Sequence, residues 1–333
     1  MSSLVLAECH RDLYIPAMGA NFADTLLMAI REKNAPVCVG LDPLLDRLPP
    51  SILANHDISK DGMTKGMDTS RCVAALASFG RELIDVVMEY VPSIKINIAF
   101  FERYFSEGVA AYFDLVRYAH EAGLLVIGDA KRADIGHTSD QYAIGHLADR
   151  TDRNSAVADA LTINPYFGFD SIKPFLDAGV ETGRGLFVLV QTSNESANEV
   201  QGLVLSDGTM VCERVAALVS EWATGEGLVG RSGYSSVGAV VSPRDLESTQ
   251  RIRTLMPKCL FLVPGFGAQG RSAEEVATCF RSDGTGAIVN ASRSVIYAHD
   301  QDRYRNRFGD DWKRCVREAC LDFVQSIRSI LPT

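Results

Sequence analysis

Leu124-Leu125-Val126-Ile127-Gly128-Asp129-Ala130-Lys131-Arg132-Ala133-Asp134 joins a continuous apolar run to a dense set of charges. The run Leu124–Ile127 lacks polar/apolar alternation, the pattern of a strand buried on both faces. Near its end a period of two puts Asp129 and Lys131 on the same face, and Asp134 follows in the turn. Ionisable groups crowded at the mouth of an apolar strand are costly unless they pair with one another or with a ligand. Taken alone, the run also fits a surface ion-pair network at a strand end. The remainder of the chain decides between the two.

Runs of the same kind recur along the sequence. Strands are predicted over Val37–Asp42, Ser93–Ala99, Leu124–Lys131, Ala160–Asn164, Gly185–Ser193, Val237–Ser242, Leu260–Gly267 and Gly286–Arg293. Between them lie stretches with an apolar residue every three or four positions, among them Val73–Tyr90, Val109–Ala122, Met210–Ala223 and Ala273–Phe280. Ser272-Ala273-Glu274-Glu275 supplies a capping-box-like start to the last of these. An unbroken β/α series of this length predicts an α/β fold, a closed (β/α)8 TIM barrel in a single domain. A doubly wound open sheet is the competing topology. The barrel is expected over residues 22–333, after an N-terminal extension at 1–21. Residues 44–70 read as a polar excursion after the first strand, and 194–207 as a mobile loop after the fifth.

Composition narrows the function classes. Lys+Arg total 33 against Asp+Glu 42, a formal charge of -9, which disfavours a broad nucleic-acid surface but leaves room for one basic pocket. No apolar stretch approaches the roughly 18 to 20 residues that cross a bilayer. Met1–His10 contains Glu8 and lacks the basic-then-apolar order of a signal peptide. The eight cysteines are scattered, with no C-x-x-C and no His/Cys pair at zinc spacing, so reduced thiols and a cytoplasmic location are expected. Cys38 and Cys259 read as core residues, and Cys315 and Cys320 as chemically idle positions on a C-terminal helix. Neither metal nor cofactor is called for.

In a barrel of this type the C-terminal strand ends line the active site. Those ends read Asp42, Lys95 with Asn97, Asp129 with Lys131, Thr192-Ser193, Pro264 with Gln269, and Arg293. Singly, each has an ordinary explanation: Asp42 before Pro43 fits a cap, and Thr192 fits a strand-end hydrogen bond. Together they exceed what capping needs. Val263-Pro264-Gly265-Phe266-Gly267-Ala268-Gln269-Gly270 is a glycine-spaced loop whose backbone can approach phosphate oxygens. Asn290-Ala291-Ser292-Arg293 adds a forked cation at the last strand end. Loops after strands seven and eight are where such barrels hold phosphate. Lys95 and Lys131 each neighbour a carboxylate, which favours their ammonium forms. Charged lysines argue against a Schiff-base aldolase and for proton donation to a reacting carbon.

These motifs resemble the orotidine 5'-phosphate decarboxylase family, from about Phe22 to Ser329. They are Val39-Gly40-Leu41-Asp42-Pro43, Ile94-Lys95-Ile96-Asn97, the Asp129–Asp134 run, Gln191-Thr192-Ser193-Asn194, the Pro264–Gly270 loop and Asn290–Arg293. Asp-x-Lys-x-x-Asp is the most specific, and the loops look like the longer, divergent branch. The resemblance implies conversion of orotidine 5'-monophosphate to UMP and CO2 in pyrimidine biosynthesis. It makes Lys131 the proton donor to C6 of the pyrimidine and Asp129 the carboxylate beside the departing CO2. It assigns Lys95 and Asp42 to the charged array and the ribose hydroxyls, with Asn97 a further contact. Thr192 or Ser193 would read the pyrimidine edge. Gln269 and Arg293 would hold the phosphate, with Pro264, Gly265 and Ser292 as further substrate-binding positions. Asp134, with Thr138, would reach into a neighbouring subunit's site, so a homodimer is implied.

Two other readings stand beside it. Mg2+-dependent sugar-phosphate lyases of the same barrel superfamily share the Asp-x-Lys-x-x-Asp arrangement. They resemble this chain less at strand two, where an acidic metal ligand is replaced by Lys95. A nucleotide-binding barrel without catalysis is the other, and the intact charged positions weigh against it.

Overall fold

Alternation along parallel strands sorts side chains into two apolar compartments, and the computed structural model of the chain contains both. It describes residues 21–59, 68–148, 157–265 and 273–331. The strands are β1 (Val37–Leu41), β2 (Ser93–Asn97), β3 (Leu125–Arg132), β4 (Ala160–Ile163), β5 (Gly185–Gln191), β6 (Ser235–Val241), β7 (Cys259–Val263) and β8 (Ala287–Ala291). They form a closed barrel in sequence order, every neighbouring pair parallel. Closure runs through Val37, Cys38 and Val39 of β1 against Val289, Asn290 and Ala291 of β8. The open-sheet alternative is thereby set aside.

Leu125 and Ile127 of β3, Phe187 of β5, Val240 of β6, Leu262 of β7 and Ile288 of β8 belong to one buried cluster, the filling of the barrel interior. Helix Phe22–Lys33 closes the N-terminal end with Phe22, Ala23, Leu26 and Leu27. Its start is set by Asn21, whose side chain accepts the Ala23 N–H at 2.9 Å. The Phe22 ring meets Phe187 edge-to-face at 5.9 Å. Burying a ring of this size stabilises by about 2–3 kcal/mol, and the ring pair adds about 1 kcal/mol. The opposite strand parity, including Val39, Ile96, Val126, Val188 and Val289, packs outward against the surrounding helices. Both faces of each strand are therefore buried, which is why the strands read as unbroken apolar runs.

Interior parity carried towards the C-terminal ends gives Asp42, Lys95, Asn97, Asp129, Thr162, Gln191, Ser242 and Asn290. The barrel lining thus turns from apolar to polar towards that end, with buried Ser93 and Ser236 as polar positions at the other. Several expected strands overrun there: β2 stops at Asn97, β5 at Gln191 and β7 at Val263. The tract 44–70 is not simply polar excursion, since it carries a helical turn at Leu45–Arg47, a helix at Pro50–Asn55, and buried Leu48, Ile52 and Leu53. The tract 194–207 holds a 3-10 turn at Glu195–Glu199. The N-terminal extension through residue 20, Ser272 and Gln269 lie outside the described residues. Among the described residues no helix is long and apolar enough to cross a membrane.

Candidate active site

A departure from regular strand geometry builds the centre of the polar rim. The β3–β4 pairing slips between Gly128 and Arg132, and Lys131 adopts a left-handed backbone with φ 47°. Such a conformation is strained for a lysine and persists only where neighbours hold it. Here the Lys131 N–H donates to Thr162 Oγ1 at 3.0 Å, while that hydroxyl donates to Asp129 Oδ1 at 2.9 Å. Simple alternation therefore does not bring Lys131 beside Asp129; a bulge does. Arg132 turns the other way, pairing with Glu102 and lying over the Tyr142 ring.

Asp129 is buried and stands between two amines. Lys95 Nζ lies 2.7 Å from its Oδ2 and Lys131 Nζ lies 2.5 Å from its Oδ1. Lys95 also faces Asp42 Oδ1 at 3.6 Å. Burial alone would push the Asp129 carboxyl up, but Lys95 and Lys131 outweigh it and hold the group well below the usual carboxylate range. Burial likewise opposes the charge on Lys95, and Asp129 with Asp42 overcomes it, raising that ammonium above its ordinary value. The two lysines differ in access: the Lys131 side chain is 48% exposed and that of Lys95 only 8%. One amine is locked inside the array; the other reaches solvent.

Asp42 is positioned from behind by buried Tyr297, whose hydroxyl donates to the Asp42 carbonyl at 3.1 Å and accepts the Leu44 N–H at 2.6 Å. Its Oδ1 is buried without a hydrogen-bond partner among the described residues. That oxygen is the one facing Lys95, while the side chain as a whole keeps 20% exposure. Asn97 caps the following turn, Oδ1 accepting the Ala99 N–H at 3.2 Å. At the β1–β8 seam, a Cβ on Gly40 would stand 1.9 Å from Ser292 Oγ, so glycine is what lets the β8 end approach β1. Ser292 Oγ in turn accepts from Asn290 Nδ2 at 3.4 Å. Gly265, at φ 81°, turns the chain beyond Pro264. Arg293 opens the short helix Arg293–Ile296, is exposed, and has no ion pair among the described residues.

The remaining candidates divide. Thr192 is engaged locally: Gln201 Oε1 accepts its N–H at 2.9 Å, Gln201 Nε2 donates to its hydroxyl at 2.7 Å, and that hydroxyl donates to Asn194 at 2.6 Å. Among the described residues nothing hydrogen-bonds the Ser193 hydroxyl. Asp134 is not joined to the array within the chain. Its Oδ1 accepts the Ile135 N–H at 2.8 Å, and Thr138 is exposed on helix Gly136–Leu147. Thr162 was not among the sequence candidates; a lone hydroxyl at interior parity in Ala160-Leu161-Thr162-Ile163 was the available signal.

A closed parallel barrel with an alternating row of carboxylates and ammonium groups at its C-terminal rim defines the class, a (β/α)8-barrel enzyme. A model described as "Orotidine 5'-phosphate decarboxylase / HUMPS family" matches residues 36–305, and the chain belongs to that family. It is 37% identical over 309 residues to an orotidine 5'-phosphate decarboxylase of Rhodopirellula baltica, covering 92% of this chain and 99% of that one. A Caldicellulosiruptor saccharolyticus relative of the same name is 35% identical over 315 residues, covering 93% and 99%. Among solved structures, a candidate orotidine 5'-phosphate decarboxylase from Streptomyces avermitilis matches with TM-score 0.73 and 34% identity, covering 96% and 99%. Leishmania donovani OMP decarboxylase matches with TM-score 0.66 and 30% identity, covering 93% and 98%.

Proposed function

We propose that the chain decarboxylates orotidine 5'-monophosphate to UMP and CO2. The observation that carries the reading is the row Asp42–Lys95–Asp129–Lys131, in which buried Lys95 fixes Asp129 and the more accessible Lys131 faces the cleft. Breaking the bond from C6 to the carboxylate leaves an electron pair in the ring plane, outside the π system. Enzymes lower barriers by roughly 8 to 23 kcal/mol, and this reaction belongs at the demanding end. Asp129 stands where the substrate carboxylate is repelled, and loss of neutral CO2 removes that repulsion. The Lys131 ammonium stabilises the developing carbanion and then gives its proton to C6, becoming an amine that solvent reprotonates. Because the array's charges are already held by one another, little reorganisation accompanies the step.

The other roles follow from what each group has left to offer. The Asp42 carboxylate, part of whose side chain is exposed, takes a ribose hydroxyl, with Asn97 beside it. Ser193, rather than the engaged Thr192, offers its hydroxyl to the pyrimidine edge. Arg293, with Pro264, Gly265, Ser292 and Gln269, surrounds the phosphate, whose binding energy can be used for orientation far from C6. Asp134 and Thr138 serve the site of a second copy. Support comes from their position outside the array and from the exposed apolar residues Ile135 and Ile144 beside them. The sugar-phosphate lyase reading is disfavoured by Lys95, whose ammonium would repel a divalent cation. The test is loss of the ultraviolet absorbance of orotidine 5'-monophosphate with matching CO2 release. Inactivity of the homogeneous protein across substrate concentrations would overturn the proposal.

A further inference from the structure

Thr192 is the meeting point of a clamp that spans two barrel loops. Gln201 Oε1 accepts from Thr192 N–H and from Arg244 Nη2, both at 2.9 Å. Arg244 Nη1 also donates to Asn198. Both ends of the clamp stand on fixed structure. The Gln201 carbonyl accepts the N–H of buried Cys212, at the start of helix Val211–Trp222, at 3.0 Å. Arg244 sits between Ser242 and Asp245. The Ser242 N–H donates to the Gln191 carbonyl at 2.7 Å, and the Ser242 carbonyl accepts from Gln191 Nε2 at 2.7 Å. Asp245 caps helix Leu246–Leu255 through the Ser248 N–H at 2.7 Å.

We infer that Gln201 and Arg244 are positioning residues that fix the Thr192–Ser193 backbone against the base of the bound nucleotide. The inference rests on the decarboxylase reading. Its chemistry is specific. Gln201 uses one amide to satisfy both the N–H and the hydroxyl of Thr192, so the strand end has one orientation. That leaves Ser193 as the hydroxyl free to meet the ring. Arg244 acts only through Gln201 and Asn198, holding the Gln201 carboxamide by a charge-assisted bond. The clamp therefore governs the base and leaves the phosphate contacts, on β7 and β8, untouched.

The experiment measures dissociation constants of UMP and of ribose 5-phosphate, which lacks the base, for the full chain and three variants. Gln201→Ala is expected to weaken UMP about tenfold and ribose 5-phosphate less than about twofold, the size of one or two lost hydrogen bonds. Arg244→Ala should weaken UMP about threefold with the same selectivity. The double variant should match Gln201→Ala alone, because the two act as one unit. If Gln201→Ala does not fold, Arg244→Ala carries the same comparison. Equal weakening of both ligands, unchanged UMP binding, or losses that multiply in the double variant would each overturn the inference. Wild-type protein that neither binds UMP nor consumes orotidine 5'-monophosphate would instead overturn the decarboxylase reading. Turnover by the wild-type protein, with variants that weaken both ligands equally or neither, overturns the clamp alone.

Discussion

Lys131 Nζ lies 2.5 Å from Asp129 Oδ1 although the Lys131 backbone has left the strand for a left-handed conformation. The contact is made by a bulge that Thr162 braces, not by the strand's own period. A single hydroxyl thus links the backbone of one charged residue to the side chain of the other.

Thr162→Val removes that link while keeping the side chain's shape. The Lys131 N–H and one Asp129 lone pair lose their partner, a loss of about 1–3 kcal/mol. Steady-state kinetics should show kcat reduced roughly 10- to 100-fold with KM changed little, since the substrate's phosphate and ribose contacts remain. An unchanged kcat would contradict the bracing role.

Arg293→Ala should weaken ligands in proportion to the phosphate they carry. Calorimetry is expected to show UMP binding reduced by roughly 10- to 100-fold, from loss of a charge-assisted contact, with uridine binding unaltered. Equal weakening of nucleotide and nucleoside would remove Arg293 from the phosphate site.

Sharing of Asp134 between copies can be tested by mixing. Asp134→Ala and Lys131→Ala are each expected to be inactive, but reassortment produces mixed dimers in which one of the two sites carries both native residues. Activity should recover to about one quarter of wild type. Recovery of none, with dimer exchange verified, would place Asp134 outside the partner's site.

Two histidines give stability opposite pH dependences. Burial opposes the charge on His120, but Asp159 at 2.9 Å outweighs it, so its pKa is raised on folding. Its contribution is present below the unfolded value of about 6.5 and lost as pH rises through the folded one. His146 is lowered to about 4 by burial and by Arg132. Its stabilising neutral state is present above about pH 6.5 and is lost as pH falls towards about 4. Melting temperatures should therefore show His120→Gln destabilising by roughly 2–4 °C near pH 5.5 and less near pH 9. His146→Phe should raise Tm relative to wild type near pH 5 and lose that advantage near pH 8. The reverse ordering would show that these pairs do not set the acid limb.

The barrel was legible because both strand faces are buried, which writes each strand as an apolar run, and because polar residues accumulate at one end. Where strands end was less legible. The sequence pattern carries these strands to Ala99, Ser193 and Gly267, yet the backbone leaves the sheet after Asn97, Gln191 and Val263. Strand alternation alone does not bring Lys131 beside Asp129, since a period of two carries no sign of a left-handed residue. Gln201 and Arg244 gave no signal: their partners lie 9 and 43 residues away, and it is the pairing of β5 with β6 that brings the two loops together. The tract 194–207, which reads as a mobile loop from its Ser, Asn and Gly content, holds a 3-10 turn and the clamp residue Gln201.

The most direct test compares turnover of orotidine 5'-monophosphate and binding of UMP for wild type and Lys131→Ala. The array account expects wild-type protein to decarboxylate and the variant to lose at least about 10³-fold in kcat while still binding UMP, the scale of a missing proton donor and its charge. Near-wild-type turnover by Lys131→Ala would contradict it.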